Sequence, residues 1–253
     1  MQPLILYAKT DIGKQRLINE DSVAFELLGT QNVKTESNYG ILVVADGMGG
    51  HDKGEIASDV ATKQFIKKVR EAMQKKSDKS DIEYKKILKS AVNAANKEVW
   101  KISKQEPNRI GTTLVAAIIV KDNVYIANVG DSRAYLVKPN KYIRQITKDH
   151  SAVQEMLDAN IITKEQAKNH PRKNVITKAI GISEQIIPDI YEQKISNETL
   201  VLCTDGLYGM IEEDDIIKTV NNNIFKSIDA LISLANKQGG QDNISIAIAK
   251  YGN

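Results

Sequence analysis

The chain has 253 residues, of which 42% are apolar, a proportion that is ordinary for a soluble globular protein with a sizeable core, and we expect one domain spanning residues 1–253. The formal charge of +3, with 26% charged residues, is too mild to indicate a nucleic-acid or membrane partner, so we expect protein or small-molecule partners. The only cysteine is Cys203, which excludes a disulfide framework and a CxxC metal site and is typical of an intracellular chain.

The N-terminus shows no targeting segment, because MQPLILYAKTD lacks both a basic start and a long apolar region. The longest later apolar run, 114–120, is too short to span a bilayer, and we therefore expect a cytoplasmic protein. Apolar residues at 4–8 alternate between two faces, which predicts an opening strand that closes in a turn at 11–13. Residues 23–27 alternate in the same way and predict a second strand.

Between these strands, Arg16 stands five residues before Asp21, with Glu20 adjacent to that aspartate. On its own, such a group is typical of a solvated hairpin end.

An unbroken apolar run at 41–45 leads into Asp46 and a group of glycines. A run of this length without alternation predicts a strand that is covered on both faces. Glycines at 47, 49 and 50 permit unusual backbone conformations and the close approach of a ligand, so we interpret the stretch as a buried strand ending in a metal-binding turn. The alternative is a plain Asp-Gly turn between two strands.

Apolar residues at helical spacing predict two successive amphipathic helices, over 56–73 and 88–102, which suggests a helical layer. Trp100 lies on the second helix, and we expect it to contribute to packing. Lysines occupy the other faces of these helices. We interpret them as solvated, and a docking surface for an acidic partner is the alternative.

From 111 to 147, short apolar segments are separated by short turns. Connections of that length join only antiparallel neighbours, which excludes a doubly wound nucleotide-binding sheet. Within this meander, Asp131 follows Gly130 at the end of a strand, as Asp46 ends the earlier one.

The segment 149–181 is weakly patterned and predicts only a short helix at about 152–160. A functional lid and a mobile surface loop are both compatible with such a segment. His150 and His170 border it, and we interpret them as surface or loop-anchoring residues rather than metal ligands.

Two more acids stand at strand ends in the C-terminal region. The strand at 200–203 leads to Asp205, a helix is predicted around 228–235, and Asp242 comes just before the closing strand Ile244–Tyr251. A cysteine phosphatase needs an arginine six residues after its cysteine, and position 209 is glycine. We therefore interpret Cys203 as a small core residue.

Sheets bring strand ends together in space, so the acids at these ends are expected to gather. Gathered carboxylates repel one another unless they are protonated or metal-bound, and hard divalent cations are the common solution. Oxygen ligands without an HExxH or Cys/His cluster favour Mg²⁺ or Mn²⁺ over Zn²⁺. Two such ions sharing an aspartate and a water stabilise in-line displacement at phosphorus, and Arg16 is suited to hold a phosphate by paired hydrogen bonds. We therefore predict phosphate ester hydrolysis.

Seven stretches carry a specific pattern in order along the chain: RLINED at 16–21, VVADGMGGH at 43–51, GTTL at 111–114, VGDSRAY at 129–135, HPRKNVITKAIG at 170–181, CTDGL at 203–207 and GGQDNIS at 239–245. Together they strongly resemble the metal-dependent PP2C (PPM) Ser/Thr protein phosphatases, and the compact prokaryotic members above all. The resemblance implies an α+β fold of four layers, in which two antiparallel sheets lie face to face with helix pairs outside.

The resemblance also implies a two-metal centre. Asp46 would bridge the two ions, with the Gly47 carbonyl completing one site, and Asp205 and Asp242 would bind the other ion. Asp21 would act mainly through coordinated water.

Further roles follow from the same resemblance. Asp131, with Asp205, matches the place where prokaryotic members bind a third, weaker metal. Arg16 matches the phosphate-holding arginine, and the segment 149–180 corresponds to a flap that influences substrate access. Eukaryotic relatives carry a histidine straight after the Asp-Gly pair, proposed as the acid that protonates the leaving group. This chain has Met48 there, and His51 is the nearest replacement.

The activity that the resemblance implies is hydrolysis of phosphoserine and phosphothreonine on proteins by a metal-activated water, opposing Ser/Thr kinases. A Ser/Thr protein kinase is a candidate partner, and a monomer is the expected state. Two alternatives stay open: a catalytically dead relative that only binds or scaffolds, and a phosphatase for small phosphorylated metabolites. Since every carboxylate that the mechanism requires is present, we favour an active enzyme over the first.

Overall fold

The structure, a computed structural model, describes residues 3–28, 39–49, 53–75 and 83–252. The strands in these ranges are β1 Leu4–Asp11, β2 Asp21–Leu28, β3 Tyr39–Gly49, β4 Ile110–Thr112, β5 Leu114–Val120, β6 Asn123–Val129, β7 Arg133–Lys138, β8 Tyr142–Gln145, β9 Asp189–Lys194, β10 Thr199–Cys203 and β11 Ile244–Tyr251. The helices are α1 Gly54–Lys75, α2 Tyr84–Ser103, α3 Ala152–Asp158, α4 Lys164–Lys168, α5 Asp205–Tyr208, α6 Glu213–Thr219 and α7 Ile224–Lys237.

The strands form two sheets in which every pair of neighbours is antiparallel. The five-stranded sheet has the order β1-β11-β10-β7-β8. The six-stranded sheet has the order β2-β3-β5-β6-β9, with β4 paired to β3. The antiparallel neighbours predicted from the short connections are confirmed for β5 with β6 and for β7 with β8. The continuous meander is not formed, because the chain passes from one sheet to the other between β6 and β7.

Apolar patterning explains how the sheets stack. Leu4 and Leu6 pack between the two sheets, whereas Ile5 and Tyr7, on the other face of β1, pack under the helices of the five-stranded sheet. The unbroken run in β3 is apolar on both faces because both are covered. Leu42 lies in the core between the sheets, and Ile41 packs against α1 and α2.

Helices cover the outer face of each sheet. The pair α1 and α2 packs on the six-stranded sheet, and α5, α6 and α7 pack on the five-stranded sheet. This is the four-layer α+β architecture that the resemblance implied. Among the described helices, none combines the length and the apolar character that crossing a bilayer requires.

Candidate metal centre

Asp46 lies where β3 changes its hydrogen-bonding partner. Residues 39–44 pair with β5, and residues 47–49 pair with β4. The chain therefore stays extended through Gly49, and the turn that we expected directly after Asp46 is not formed in this part of the strand. Gly47 serves a close approach instead, because a Cβ there would lie 2.3 Å from the Gly54 carbonyl oxygen and 2.4 Å from that of Glu20.

Thr112 and Thr113 bind the Asp46 backbone at the point where β3 passes from pairing with β5 to pairing with β4. The Asp46 N–H donates to Thr113 Oγ1 at 2.9 Å, and the Asp46 carbonyl accepts from the Thr113 N–H and from Thr112 Oγ1, each at 2.8 Å. Thr113 Oγ1 also lies 2.7 Å from Ser132 Oγ, next to Asp131. The strand that carries Asp46 is thus tied to the loop that carries Asp131.

Asp21 begins β2 and is the direct cross-strand partner of Asp46. Its Oδ2 accepts a hydrogen bond of 3.0 Å from Thr204 Oγ1, and that hydroxyl accepts 3.1 Å from the Ser245 N–H. Thr204 follows β10 and Ser245 lies in β11, both strands of the five-stranded sheet, whereas Asp21 lies in the six-stranded sheet. These bonds therefore connect the two sheets at Asp21.

Asp205 and Asp242 come from adjacent loops of the five-stranded sheet. Asp205 is the first residue of α5 and lies two residues after the end of β10. Asp242 lies two residues before the start of β11, the neighbour of β10. A Cβ on Gly206 would lie 1.9 Å from the Asn243 carbonyl oxygen, so the glycine lets the two loops touch. The Asn243 Oδ1 accepts from the Glu20 N–H at 2.8 Å, which brings the segment before β2 to the same place.

Asp131 is buried, 6% exposed, in a loop that is held at several points. Gly130 has φ +104°, a conformation that favours glycine, and its N–H donates to His150 Nδ1 at 3.0 Å. Its carbonyl accepts from the His150 N–H at 2.9 Å. Tyr208 Oη donates to the Asp131 carbonyl at 3.1 Å. His150 is therefore a loop anchor, as the sequence suggested.

The acids of this region act on one another electrostatically. Burial raises the pKa of Asp46 well above its ordinary value, and Asp21 and Asp205 raise it further. Burial, followed by the charges of Asp205 and Asp242, has the same effect on the pKa of Asp21. The pKa of Asp131 rises to about 7 through burial and the charge of Asp205. The predicted acids therefore occupy one neighbourhood.

The oxygen atoms of this neighbourhood fit a hard divalent cation. Oδ1 of Asp205 is buried without a hydrogen-bond partner in the described part of the chain, and a buried polar atom of this kind calls for a counterpart. In the conformation described, no three His, Cys, Asp or Glu side chains are already arranged around one metal position within the residues that the structure covers. Hydrogen bonds hold some of the acids instead, among them those from Thr204 Oγ1 to Asp21 and from Arg16 Nη2 to Asp242.

Arg16 lies at the solvent side of these acids, with its side chain 46% exposed. Its Nη2 donates to Asp242 Oδ2 at 2.7 Å, and its Nη1 lies 3.6 Å from Glu20 Oε2. Glu20 Oε1 accepts from the Gly54 N–H at the start of α1 at 3.0 Å. Glu20 was not among the predicted site residues, although its position beside Asp21 was a usable signal.

His51, Met48 and Cys203, which the sequence analysis also singled out, have different outcomes. His51, the candidate proton donor, lies outside the described residues. Met48 pairs with Gly111 of β4. Cys203 is fully buried in the core under α7, where burial raises the pKa of its thiol to about 12, so its interpretation as a core residue is confirmed.

The flap segment contains α3, close to the predicted short helix, and α4, which was not predicted. An isolated bridge joins Ser151 to Ile176 within the segment, and a second joins Ile180 to Thr112 outside it. Backbone and ring bonds between His150 and Gly130 hold the other end of the segment.

Comparison with known proteins places these observations in a family. Residues 14–247 match the family model described as protein phosphatase 2C. A serine/threonine phosphatase stp of Listeria welshimeri is 37% identical over 248 residues, covering 96% of this chain and 94% of that protein. The S. agalactiae serine/threonine phosphatase superposes with a TM-score of 0.85 at 29% identity, covering 99% of this chain and 100% of that chain. The catalytic domain of the phosphatase PstP, in complex with 2 manganese ions, superposes with a TM-score of 0.80 at 28% identity, covering 99% of both chains.

Proposed function

The chain belongs to the protein phosphatase 2C family, and from this membership and its own site we propose that it is a metal-dependent Ser/Thr protein phosphatase. The observation that carries the proposal is the gathering of buried aspartates, led by Asp46, whose pKa values are raised by burial and by one another. Such a group is unfavourable without cations and useful with them.

The proposed cofactors are two Mn²⁺ or Mg²⁺ ions, with a third, weaker one. Asp46, with the Gly47 carbonyl, and the pair Asp205 and Asp242 would hold the two ions, and Asp131 with Asp205 would hold the third. When bound, such ions lower the pKa of a water and stabilise the oxygens of an in-line displacement at phosphorus. Asp21 would act through coordinated water, and Thr204 keeps its carboxylate in place.

Arg16 is the proposed phosphate-binding residue. Its guanidinium is half-exposed and donates one hydrogen bond, to Asp242, while Nη1 lies within ion-pair distance of Glu20. A half-exposed guanidinium with N–H groups beyond that one bond is suited to hold a phosphate by paired hydrogen bonds. His51 is our candidate for the acid that protonates the leaving group, and the segment 149–180 is proposed to regulate substrate access.

The proposed substrates are phosphoserine and phosphothreonine residues of proteins, so that the enzyme opposes Ser/Thr kinases and has such a kinase as a candidate partner. We propose a cytoplasmic monomer, and the mild charge of +3 supports partners other than nucleic acid and membrane.

The decisive experiment measures hydrolysis of an aryl phosphate, of phosphothreonine peptides and of small phosphorylated metabolites by the purified chain, with Mn²⁺, with Mg²⁺ and with EDTA. We expect metal-dependent turnover that EDTA abolishes, with the peptides preferred over the metabolites. Arg16→Ala should raise KM for the peptides. Absence of metal-dependent turnover would overturn the enzyme proposal, and a preference for metabolites would overturn the protein substrate.

A further inference from the structure

We propose that a basic groove beside α2 docks an acidic peptide segment of the phosphoprotein substrates, outside the phosphorylated residue itself. This inference rests on the proposed phosphatase function, because it names a feature of the substrates. The α2 groove is the cavity of about 1000 Å³ between α2 and residues 184–187.

One wall of the α2 groove is a single face of the helix. Its side chains recur at helical spacing and are Asn93, Lys97, Trp100, Lys101 and Lys104. The opposite face of the same helix is buried in the core with α1, through residues that include Leu88 and Val92. Because α2 packs into the core through its buried face, the polar and aromatic face that lines the groove is available to bind another molecule.

The charge of the groove selects an acidic ligand. Three of its lining side chains are lysines, and Glu184 is the one lining acid. Lys101 is paired with Glu98 at 2.8 Å, whereas neither Lys97 nor Lys104 forms an ion pair with a described residue. Lys104 Nζ lies 5.8 Å from the centroid of the Trp100 ring, a contact that leaves its charge uncompensated. Lysines without an acidic partner attract a carboxylate-rich segment and speed its encounter.

The groove also offers apolar surface among its charges. Trp100 lines it, with the Arg109 guanidinium 4.5 Å from the ring centroid. Ile187, on the other wall, is 78% exposed. Aromatic and apolar groups bordered by cations suit a peptide in which an apolar side chain stands among aspartates or glutamates.

The second wall is hydrogen-bonded to α2 and connected through the backbone to the strand that carries Asp46. The buried Asn96 donates from Nδ2 to the carbonyls of Ser183 and Glu184, at 3.0 and 3.1 Å, and accepts from the Gly181 N–H at 2.8 Å. The residue before Gly181 is bridged to Thr112, whose hydroxyl donates to the Asp46 carbonyl. A segment held in the α2 groove is therefore tethered near the flap, which raises the effective concentration of its phosphorylated residue.

Trp100 is the only tryptophan of the chain, so its fluorescence reports on the groove directly. The probe is an unphosphorylated peptide of aspartates and glutamates around one leucine, without tryptophan, titrated in EDTA. We expect a saturable fluorescence change that weakens with salt. A lysine-rich peptide of equal length should produce none.

The variant Lys97→Glu/Lys104→Glu should bind the acidic peptide at least about tenfold more weakly. The matched control is Lys67→Glu/Lys89→Glu, which makes the same change in net charge at exposed helix lysines outside the groove. Equal weakening in both variants, or no fluorescence change in the parent protein, would overturn the docking proposal.

A kinetic arm separates this proposal from the proposed function. With phosphopeptides that carry an acidic segment, the groove variant should show a higher KM and an unchanged kcat, while its turnover of an aryl phosphate stays at the parent level. An equal KM for peptides with and without the segment, in the parent protein, would contradict docking. Peptide binding without any metal-dependent turnover would overturn the phosphatase proposal and leave the groove intact.

Discussion

Among the single residues of the centre, Asp46 has the strongest expectation attached to it. Asp46→Asn keeps the size of the side chain and the backbone bonds to Thr113 but weakens a bridging ligand, so activity should fall by at least about 100-fold. The melting temperature in EDTA should not fall, because the pKa of Asp46 is raised and its ionised form is unfavourable in the metal-free fold. Kinetics and thermal denaturation measure both effects. Retention of most activity would contradict the bridging role.

Asp131 should behave differently from Asp46. In Asp131→Ala we expect the paired metals to bind as before, with slower turnover or a higher metal requirement, because the proposed weak site loses a ligand. Isothermal titration calorimetry with Mn²⁺ measures the two classes of site. Loss of the tight sites would show that Asp131 belongs to the pair.

At this scale, the recurrence of acids at strand ends predicted that the aspartates gather, but it did not predict their contacts. The direct pairing of Asp21 with Asp46 depends on which strands become neighbours, and local patterning does not contain that information. The bond from Arg16 to Asp242 likewise joins residues from opposite ends of the chain. Thr204, which holds Asp21, lies within the CTDGL stretch, but the sequence does not show which carboxylate its hydroxyl contacts.

At the scale of elements, the connection between the flap and the Asp131 loop is testable through His150. His150→Ala removes the acceptor of the Gly130 N–H, and an unsatisfied donor costs about 1–3 kcal/mol. The melting temperature should fall, and the Mn²⁺ concentration needed for half-maximal activity should rise. The control is His170→Ala, since the His170 ring accepts a local bond from the exposed Arg172 N–H rather than one from another loop. Equal changes in melting temperature and Mn²⁺ requirement in both variants would contradict a particular role for His150.

Long, strongly patterned elements were predicted well. The closing strand has the predicted bounds, Ile244–Tyr251, and both long helices lie where the apolar spacing placed them. The missed elements are short, among them α4 with 5 residues, α6 with 7 and β9 with 6. Charged side chains occupy much of their length. Their stability comes from packing against existing layers rather than from local pattern, which sequence periodicity does not report.

For the molecule as a whole, the metal-free protein should lose stability as pH rises from about 5 to about 8. The folded-state pKa of Asp131, about 7, exceeds the ordinary aspartate value of about 4, so in this window the folded state binds more protons than the unfolded state. The raised pKa values of Asp21 and Asp46 act in the same direction. Cations bind the ionised acids, so the gain in melting temperature from Mn²⁺ should widen as pH rises.

The predicted fall in stability with rising pH must be measured against a reference variant, because His150 contributes in the opposite direction. Burial lowers the pKa of His150, so its contribution to stability rises with pH near its ordinary value. Denaturation of Asp131→Asn beside the parent protein, both in EDTA, cancels that contribution. We expect a shallower fall in the variant, and identical pH profiles would contradict the raised pKa of Asp131.

The hydroxyl of Thr113 touches the backbone of Asp46 on one side and Ser132, the neighbour of Asp131, on the other. The supports of the proposed paired ions and of the third ion thus share one group, and filling either site is expected to alter the affinity of the other. Thermodynamic linkage makes that influence reciprocal: whatever factor the third ion applies to the pair, the pair applies to the third ion. The total binding free energy of the three proposed ions is therefore the same whichever ion binds first.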